Sequence, residues 1–147
     1  MGDEAGAAAV SSPKRARIPS MPPLHPAPAA PVPLALYVHL PWCVRKCPYC
    51  DFNSHAADAF DEARYVAALL ADLEGALPRV WGRRVQSVFL GGGTPSLFSP
   101  PAIARLLDGV RARLPLEPMA EVTLEANPGT AEAARFAAFR AAGVTRL

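Results

Sequence analysis

Cysteine is scarce in this chain: three occur in 147 residues, all between Cys43 and Cys50. A disulfide pair with one spare thiol is possible, but the chain shows no secretory signal, and cytosolic thiols stay reduced. Missing too is any apolar run near the roughly 20 residues that a membrane-spanning helix takes. A formal net charge of +2 is too small to argue for nucleic acid or an acidic membrane surface. Aromatic residues make up only 7% of the chain, so its 51% apolar fraction rests largely on alanine, which favours helix more than it marks a deep core. An apolar h-region is absent, and Asp3 and Glu4 stand near the start, which argues against a signal or transit peptide. The expectation is a soluble, cytoplasmic protein with reduced thiols, binding no nucleic acid and spanning no membrane.

Proline, by contrast, is abundant. Many of the 17 prolines crowd the first third of the chain. Residues 1–33 form a Pro/Ala-rich stretch without usable periodicity, which buries too little apolar surface to offset the entropy of ordering it. They are expected to be a disordered extension. Its Lys14-Arg15-Ala16-Arg17 cluster reads as a solvated basic patch. Residues 34–147 are expected to form the folded part.

There the pattern alternates between strand and helix. Ala35 to Leu40 reads as a strand that Pro41 stops, with Ala35, Tyr37 and His39 on one face and Leu36, Val38 and Leu40 on the other. Val66, Leu69, Leu70, Leu73 and Leu77 form one helical stripe, capped by Asp58 or Asp61 and closed by Pro78. Val85 to Leu90 is the second strand and runs into Gly91-Gly92-Gly93. Ser99 caps a helix with Pro100 at its first position, and Ile103, Leu106, Leu107, Val110 and Leu114 repeat the stripe. Glu121 to Ala126 is the third strand. Asn127-Pro128-Gly129 makes a turn, Thr130 caps a third helix, and Gly143 suits its C′ position. Thr145 to Leu147 begins a fourth strand. The order β-α-β-α-β-α-(β) predicts a parallel sheet with right-handed crossovers. Three such units cannot close a barrel, so the inner face is expected to lie open, as in a truncated product.

The three cysteines are spaced C-x3-C-x2-C at Cys43, Cys47 and Cys50. Thiolates gathered in one loop suit zinc or an iron–sulfur cluster. Structural zinc wants four protein ligands, which here brings in His39 or His55. Three thiolates on a four-iron cluster instead leave one iron open to an outside ligand. A redox pair at Cys47 and Cys50 remains a further reading, although it leaves Cys43 without a role.

The spacing, with the aromatic Tyr49 directly before the last cysteine, resembles the radical S-adenosylmethionine (SAM) enzymes. The longer string YVHLPWCVRKCPYCDFNS at residues 37–54 is similar to one branch of them, which holds the oxygen-independent coproporphyrinogen III oxidases and the HemW-type haem chaperones. GGGTPS at Gly91–Ser96 and LEANPGT at Leu124–Thr130 sit where that branch carries them, so the resemblance covers about Ala35 to Leu147. It implies an α/β fold, the first half of a partial (β/α)6 TIM-like barrel. It implies a [4Fe–4S] cluster on Cys43, Cys47 and Cys50, with SAM chelated at the unligated iron. Gly92 and Gly93 would let backbone amides approach the methionine portion, Glu125 would hold the ribose hydroxyls, Tyr37 would contact SAM, and Tyr49 would lie near the adenine. Thr94 is a further contact, and an electron donor for the cluster is a required partner.

Oxidases of this branch carry a fourth cysteine two residues after the third, where this chain has Phe52. The departure resembles the haem chaperones, which bind haem and pass it to acceptor proteins, and whose catalytic role is not evident. If the protein is catalytic, the resemblance implies oxidative decarboxylation of a porphyrinogen. The readings carried forward are therefore a haem chaperone, an oxygen-independent coproporphyrinogen III oxidase, and a non-catalytic zinc-binding module.

Overall fold

The computed structural model describes residues 32–127 and 132–147, with the side chains of residues 132 and 133 left aside. Nearly all of the expected disordered extension, the Pro128-Gly129 turn and the Thr130 cap lie outside the described residues. Strand β1 (Leu34–Leu40) alternates as a period-two element should. Val38 and Leu40 are buried, whereas Ala35 and Tyr37 are exposed. Beyond Pro41, two very short strands, β2 (Trp42–Cys43) and β3 (His55–Ala56), pair in parallel and close the cysteine loop at its base. Two-residue strands leave no periodic trace, so this ladder is not legible from residue spacing.

Helix α1 (Glu62–Ala76) starts at Asp61, whose carboxylate accepts the Arg64 amide at 2.9 Å. It ends in a 3-10 turn, Leu77–Arg79, that contains Pro78, the residue whose missing N–H stops the α-helical ladder. Strand β4 (Val85–Gly92) follows, then α2 (Pro100–Arg113), with the Ser99 hydroxyl accepting the Ala102 amide. Strand β5 (Leu116–Leu124) begins earlier than the sequence suggests. A register irregularity sets Val85 against Leu116 but Ser87 against Glu121, so the Glu117–Ala120 segment is extended yet carries no alternating burial. Helix α3 (Glu132–Ala141) ends in a Schellman motif. There Val144 N–H bonds Phe139 O at 3.0 Å, Gly143 N–H bonds Arg140 O at 2.9 Å, and Gly143 takes φ +104°, a conformation that favours glycine.

The main sheet has the order β1-β4-β5, all parallel. Arg146 bridges Thr123 in parallel beyond β5, so the fourth strand starts where alternation predicts. Each strand thus lies beside the next one in sequence. One face of the sheet packs against the helices: Val88, Leu90, Val122 and Leu124 share a core with Ile103, Leu106, Leu107 and Phe139. The other face stays open, with Tyr37 at 56% and Phe89 at 39% exposure. Helix α2 contacts both α1 and α3 and buries its whole stripe, whereas α1 flanks one side only and buries just Val66 fully. Among the described residues no helix is long and apolar enough to cross a membrane.

Phe98 anchors this packing from the end of the glycine motif. Fully buried, its ring lies 4.9 Å from Phe60, 6.0 Å from Tyr65 and 6.2 Å from Trp42 between centroids. Phe98→Ala is expected to destabilise the fold by about 3–5 kcal/mol, read as a lower denaturation midpoint in urea. Met119→Ala, at a residue 93% exposed, should stay within about 0.5 kcal/mol of wild type.

Candidate functional site

In parallel α/β folds the loops at the carboxyl ends of the strands form the site. Here β1, β4 and β5 end at Leu40, Gly92 and Leu124, and the three sequence motifs follow those ends. Main-chain bonds join them directly. Gly93 N–H donates to Leu40 O at 2.9 Å and Thr94 N–H to Trp42 O at 2.8 Å, which lays the glycine loop against the entry to the cysteine loop. Glu125 N–H donates to Leu90 O at 3.1 Å. Gly92 N–H donates to Glu125 Oε2 at 3.2 Å, and Asn127 Nδ2 donates to Thr94 Oγ1 at 3.4 Å.

The glycines are required for this approach. A Cβ on Gly93 would lie 2.6 Å from both Pro41 O and Trp42 O, closer than real carbons come. Gly92 has φ +121° and would press a Cβ to 2.8 Å from the His39 ring. The expectation that the glycine amides face a ligand is therefore refined. The amides of Gly92, Gly93 and Thr94 all have protein acceptors. Beside them, a cavity of about 380 Å³ is lined by Gly93, Thr94, Glu125, Ala126, Asn127 and Leu147.

The cysteine loop is held at its base and shaped from within. His55 N–H donates to Pro41 O at 2.8 Å and Ala57 N–H to Cys43 O at 3.1 Å. Cys50 N–H closes a turn onto Cys47 O at 3.0 Å. Lys46 Nζ reaches across the loop to Phe52 O at 3.4 Å and Ser54 O at 3.2 Å. All three cysteines are free thiols: Cys43 buried, Cys50 half-buried and Cys47 exposed. Cys50 Sγ lies 3.7 Å from the hydroxyl of the buried Ser54. Among the described residues no three His, Cys, Asp or Glu side chains converge as a single ion requires. The donor set is three thiols spread over one loop, a chemistry that fits a polynuclear cluster with one open corner.

Tyr37 and His39 stand on the inward face of β1, as alternation placed them. The Tyr37 hydroxyl meets His39 Nδ1 at 3.1 Å, and His39 Nε2 meets Asn53 O at 2.7 Å. Burial first, and then the Glu125 carboxylate, raise the Tyr37 hydroxyl above its usual pKa, so it remains a protonated donor. Tyr49 is not brought to this wall. It is 88% exposed, and the neighbouring Cys47 raises its hydroxyl above the usual pKa.

Two supporting groups carry no sequence signal of their own. Glu62, in the first turn of α1, accepts the Ser99 amide at 2.8 Å and the Ser99 hydroxyl at 2.5 Å, so one carboxylate ties the starts of α1 and α2 together. The Tyr65 hydroxyl donates to His39 O at 2.9 Å, and the Tyr65 ring packs 4.5 Å from Trp42. These contacts join residues far apart in sequence, which periodicity does not link.

Comparison with known proteins agrees with this geometry. The model of the Radical SAM superfamily matches residues 37–147. The heme chaperone HemW of Escherichia coli K12 is 59% identical over 116 residues, covering 78% of this chain and 31% of that protein. The bovine "Radical S-adenosyl methionine domain-containing protein 1, mitochondrial" is 49% identical over 113 residues, covering 77% of this chain and 26% of the relative. Among solved structures, the coproporphyrinogen III oxidase HemN of Escherichia coli, described there as a radical SAM enzyme, matches with a TM-score of 0.71 at 32% identity. That match covers 78% of this chain and 27% of HemN. The chain therefore spans between about a quarter and a third of the length of these relatives.

Gly93→Ala is expected to force the glycine loop off the Pro41 and Trp42 carbonyls, at a cost of about 1–3 kcal/mol. Gly75→Ala, inside α1 with nothing within 4 Å of the added carbon, should instead stabilise by about 0.5–1 kcal/mol. Urea denaturation of the two variants beside wild type reads both signs.

Proposed function

The chain belongs to the radical SAM superfamily, and on that premise we propose that it is the cofactor-binding part of a haem chaperone, holding a [4Fe–4S] cluster and SAM. Cys43, Cys47 and Cys50 would hold the cluster. Glu125, Tyr37, Gly92, Gly93 and Thr94 would form the SAM side of the site, with Tyr49 near the adenine. The observation that carries this reading is the direct bonding of three strand-end motifs at one rim, from Leu40 to Gly93, Trp42 to Thr94 and Gly92 to Glu125.

When bound, the pair supplies one-electron reduction of a sulfonium, chemistry that belongs to the cofactor. The protein's own residues position it. The buried Cys43 is anchored in the β2–β3 ladder, whereas Cys47 and Cys50 sit on a turn closed by the Cys50 N–H on Cys47 O. Trp42, Phe60, Tyr65 and Phe98 pack behind the loop and keep water from its base. The Glu125 carboxylate, with Oε2 on the Gly92 amide, has its other oxygen available for a ribose hydroxyl.

Haem transfer to acceptor proteins is favoured over coproporphyrinogen decarboxylation on two grounds. Phe52, 67% exposed, stands where the resembling oxidases place a fourth cysteine. Identity is also higher to the Escherichia coli haem chaperone, 59%, than to the oxidase, 32%. Haem, its acceptors and an electron donor are the partners of this reading, and the reduced thiols suit the cytoplasm. The likeness in fold to the oxidase makes a radical decarboxylase the second reading.

Anaerobic reconstitution with iron and sulfide should give broad visible absorbance and about four irons per chain. Single Cys43→Ala, Cys47→Ala and Cys50→Ala variants should lose it. One tightly held zinc per chain, with no such absorbance, would overturn the proposal. Glu125→Gln should keep the cluster but weaken SAM binding about tenfold or more, as loss of a charge-assisted hydrogen bond does, read by calorimetry under anaerobic conditions. In the longer protein, haem should be retained without decarboxylation of coproporphyrinogen; turnover of that substrate would select the oxidase.

A further inference from the structure

We infer that His39 is a positioning residue: its imidazole clamps the returning arm of the cysteine loop to the sheet and fixes where Cys50 lies before any metal arrives. The inference rests on the cluster-binding reading above, but its geometry is a property of the metal-free chain.

The ring makes two bonds, and together they select one of the two neutral tautomers. Asn53 O, 2.7 Å from Nε2, is a carbonyl and can only accept, so Nε2 carries the hydrogen. In a neutral imidazole the other nitrogen is then a lone-pair acceptor, so the Tyr37 hydroxyl, 3.1 Å away, donates to Nδ1. One tautomer satisfies both partners. The ring is also held in place, because it fills the space a side chain on Gly92 would take, at 2.8 Å from that position. The His39 carbonyl is tied to α1 by the Tyr65 hydroxyl at 2.9 Å.

What the ring holds is the arm between Cys50 and β3. Three consecutive carbonyls of that arm accept from side chains: Phe52 O and Ser54 O from Lys46, and Asn53 O from His39. Lys46 belongs to the loop itself and moves with it. His39 belongs to β1, so it refers the arm to the sheet. The arm carries Ser54, whose hydroxyl lies 3.7 Å from Cys50 Sγ. Moving Asn53 would shift that hydroxyl and the half-buried thiol together. Groups that orient metal ligands from behind commonly change metal affinity about 10- to 100-fold when removed.

The test separates a clamp from simple packing by the reach of the replacement. In His39→Gln the side-chain amide reaches the level of Nε2 and can still donate to Asn53 O; in His39→Asn it reaches only the level of Nδ1. With both variants reconstituted anaerobically beside wild type, iron release to a chelator should be about tenfold or more faster in His39→Asn and close to wild type in His39→Gln. In the metal-free chain, amide hydrogen exchange at Ser54 and His55 should rise in the Asn variant only, with the urea midpoint unchanged. Equal release from both variants, or release that tracks the urea midpoint, would overturn the inference. Should His39→Asn not fold, the imidazole nitrogen resonances of wild type decide: a hydrogen on Nε2 supports the clamp and an unprotonated Nε2 refutes it. Failure of wild type to build a cluster would count against the proposed function, while the exchange and tautomer results would still judge His39.

Discussion

Parallel pairing of β1 with β4, in a register that sets His39 against Gly91 and Leu40 against Gly92, is the constraint on which the site depends. Parallel strands present the same end to the same side, so whatever follows each strand in sequence must gather at one rim. The glycine loop can then reach back to the cysteine loop only because Gly93 has no side chain to strike the Pro41 and Trp42 carbonyls. Register and glycine act together: either alone would leave the two loops near each other without bonding them.

Behind the rim, packing does what the hydrogen bonds cannot. Trp42 lies between the last strand residue and the first cysteine, and its ring meets Phe60 at 4.9 Å and Tyr65 at 4.5 Å. Phe98, which follows the second motif, closes the same aromatic cluster. The residues adjoining two ligand-bearing loops are therefore fixed to one another by apolar contact, and Glu62 repeats the link in polar form at Ser99. A loop that must carry three reactive thiols with little regular structure of its own gains rigidity from its ends.

The sheet and its helices were legible because they follow periods. Stripes of leucine and valine gave α1 and α2, alternation placed Tyr37 and His39 inward, and Gly143 marked the end of α3. Where no period exists, the reading failed or blurred. The β2–β3 ladder is too short to leave a pattern, and the start of β5 is displaced by a register irregularity that no residue announces. The link from Glu62 to Ser99 joins residues 37 apart, so spacing could not suggest it. At the site, the strand-end rule set the cysteine loop, the glycine loop and Glu125 after three parallel strands, and hydrogen bonds do join those ends, while the exposed Tyr49 stands apart from the Tyr37 wall. The glycine loop was identified, yet the reason for its glycines is contact with the protein's own backbone.

That last point changes how recognition at this rim must work. A glycine-rich loop usually offers its amides to an anionic ligand, but here the three amides from Gly92 to Thr94 already have acceptors within 3.2 Å. A ligand entering the cavity meets side chains instead. Among the described residues, Glu125 keeps one carboxylate oxygen without a protein donor, and the side chains of Asn127 and Thr94 pair only with each other at 3.4 Å, a weak pairing that a better partner would displace. On the proposed reading, selectivity at this end of the sheet would fall on hydroxyl donors presented to the Glu125 carboxylate. The glycines contribute by shape, letting the loop lie against the Pro41 and Trp42 carbonyls, and on the proposed reading the thiols of the neighbouring loop would supply the affinity for metal.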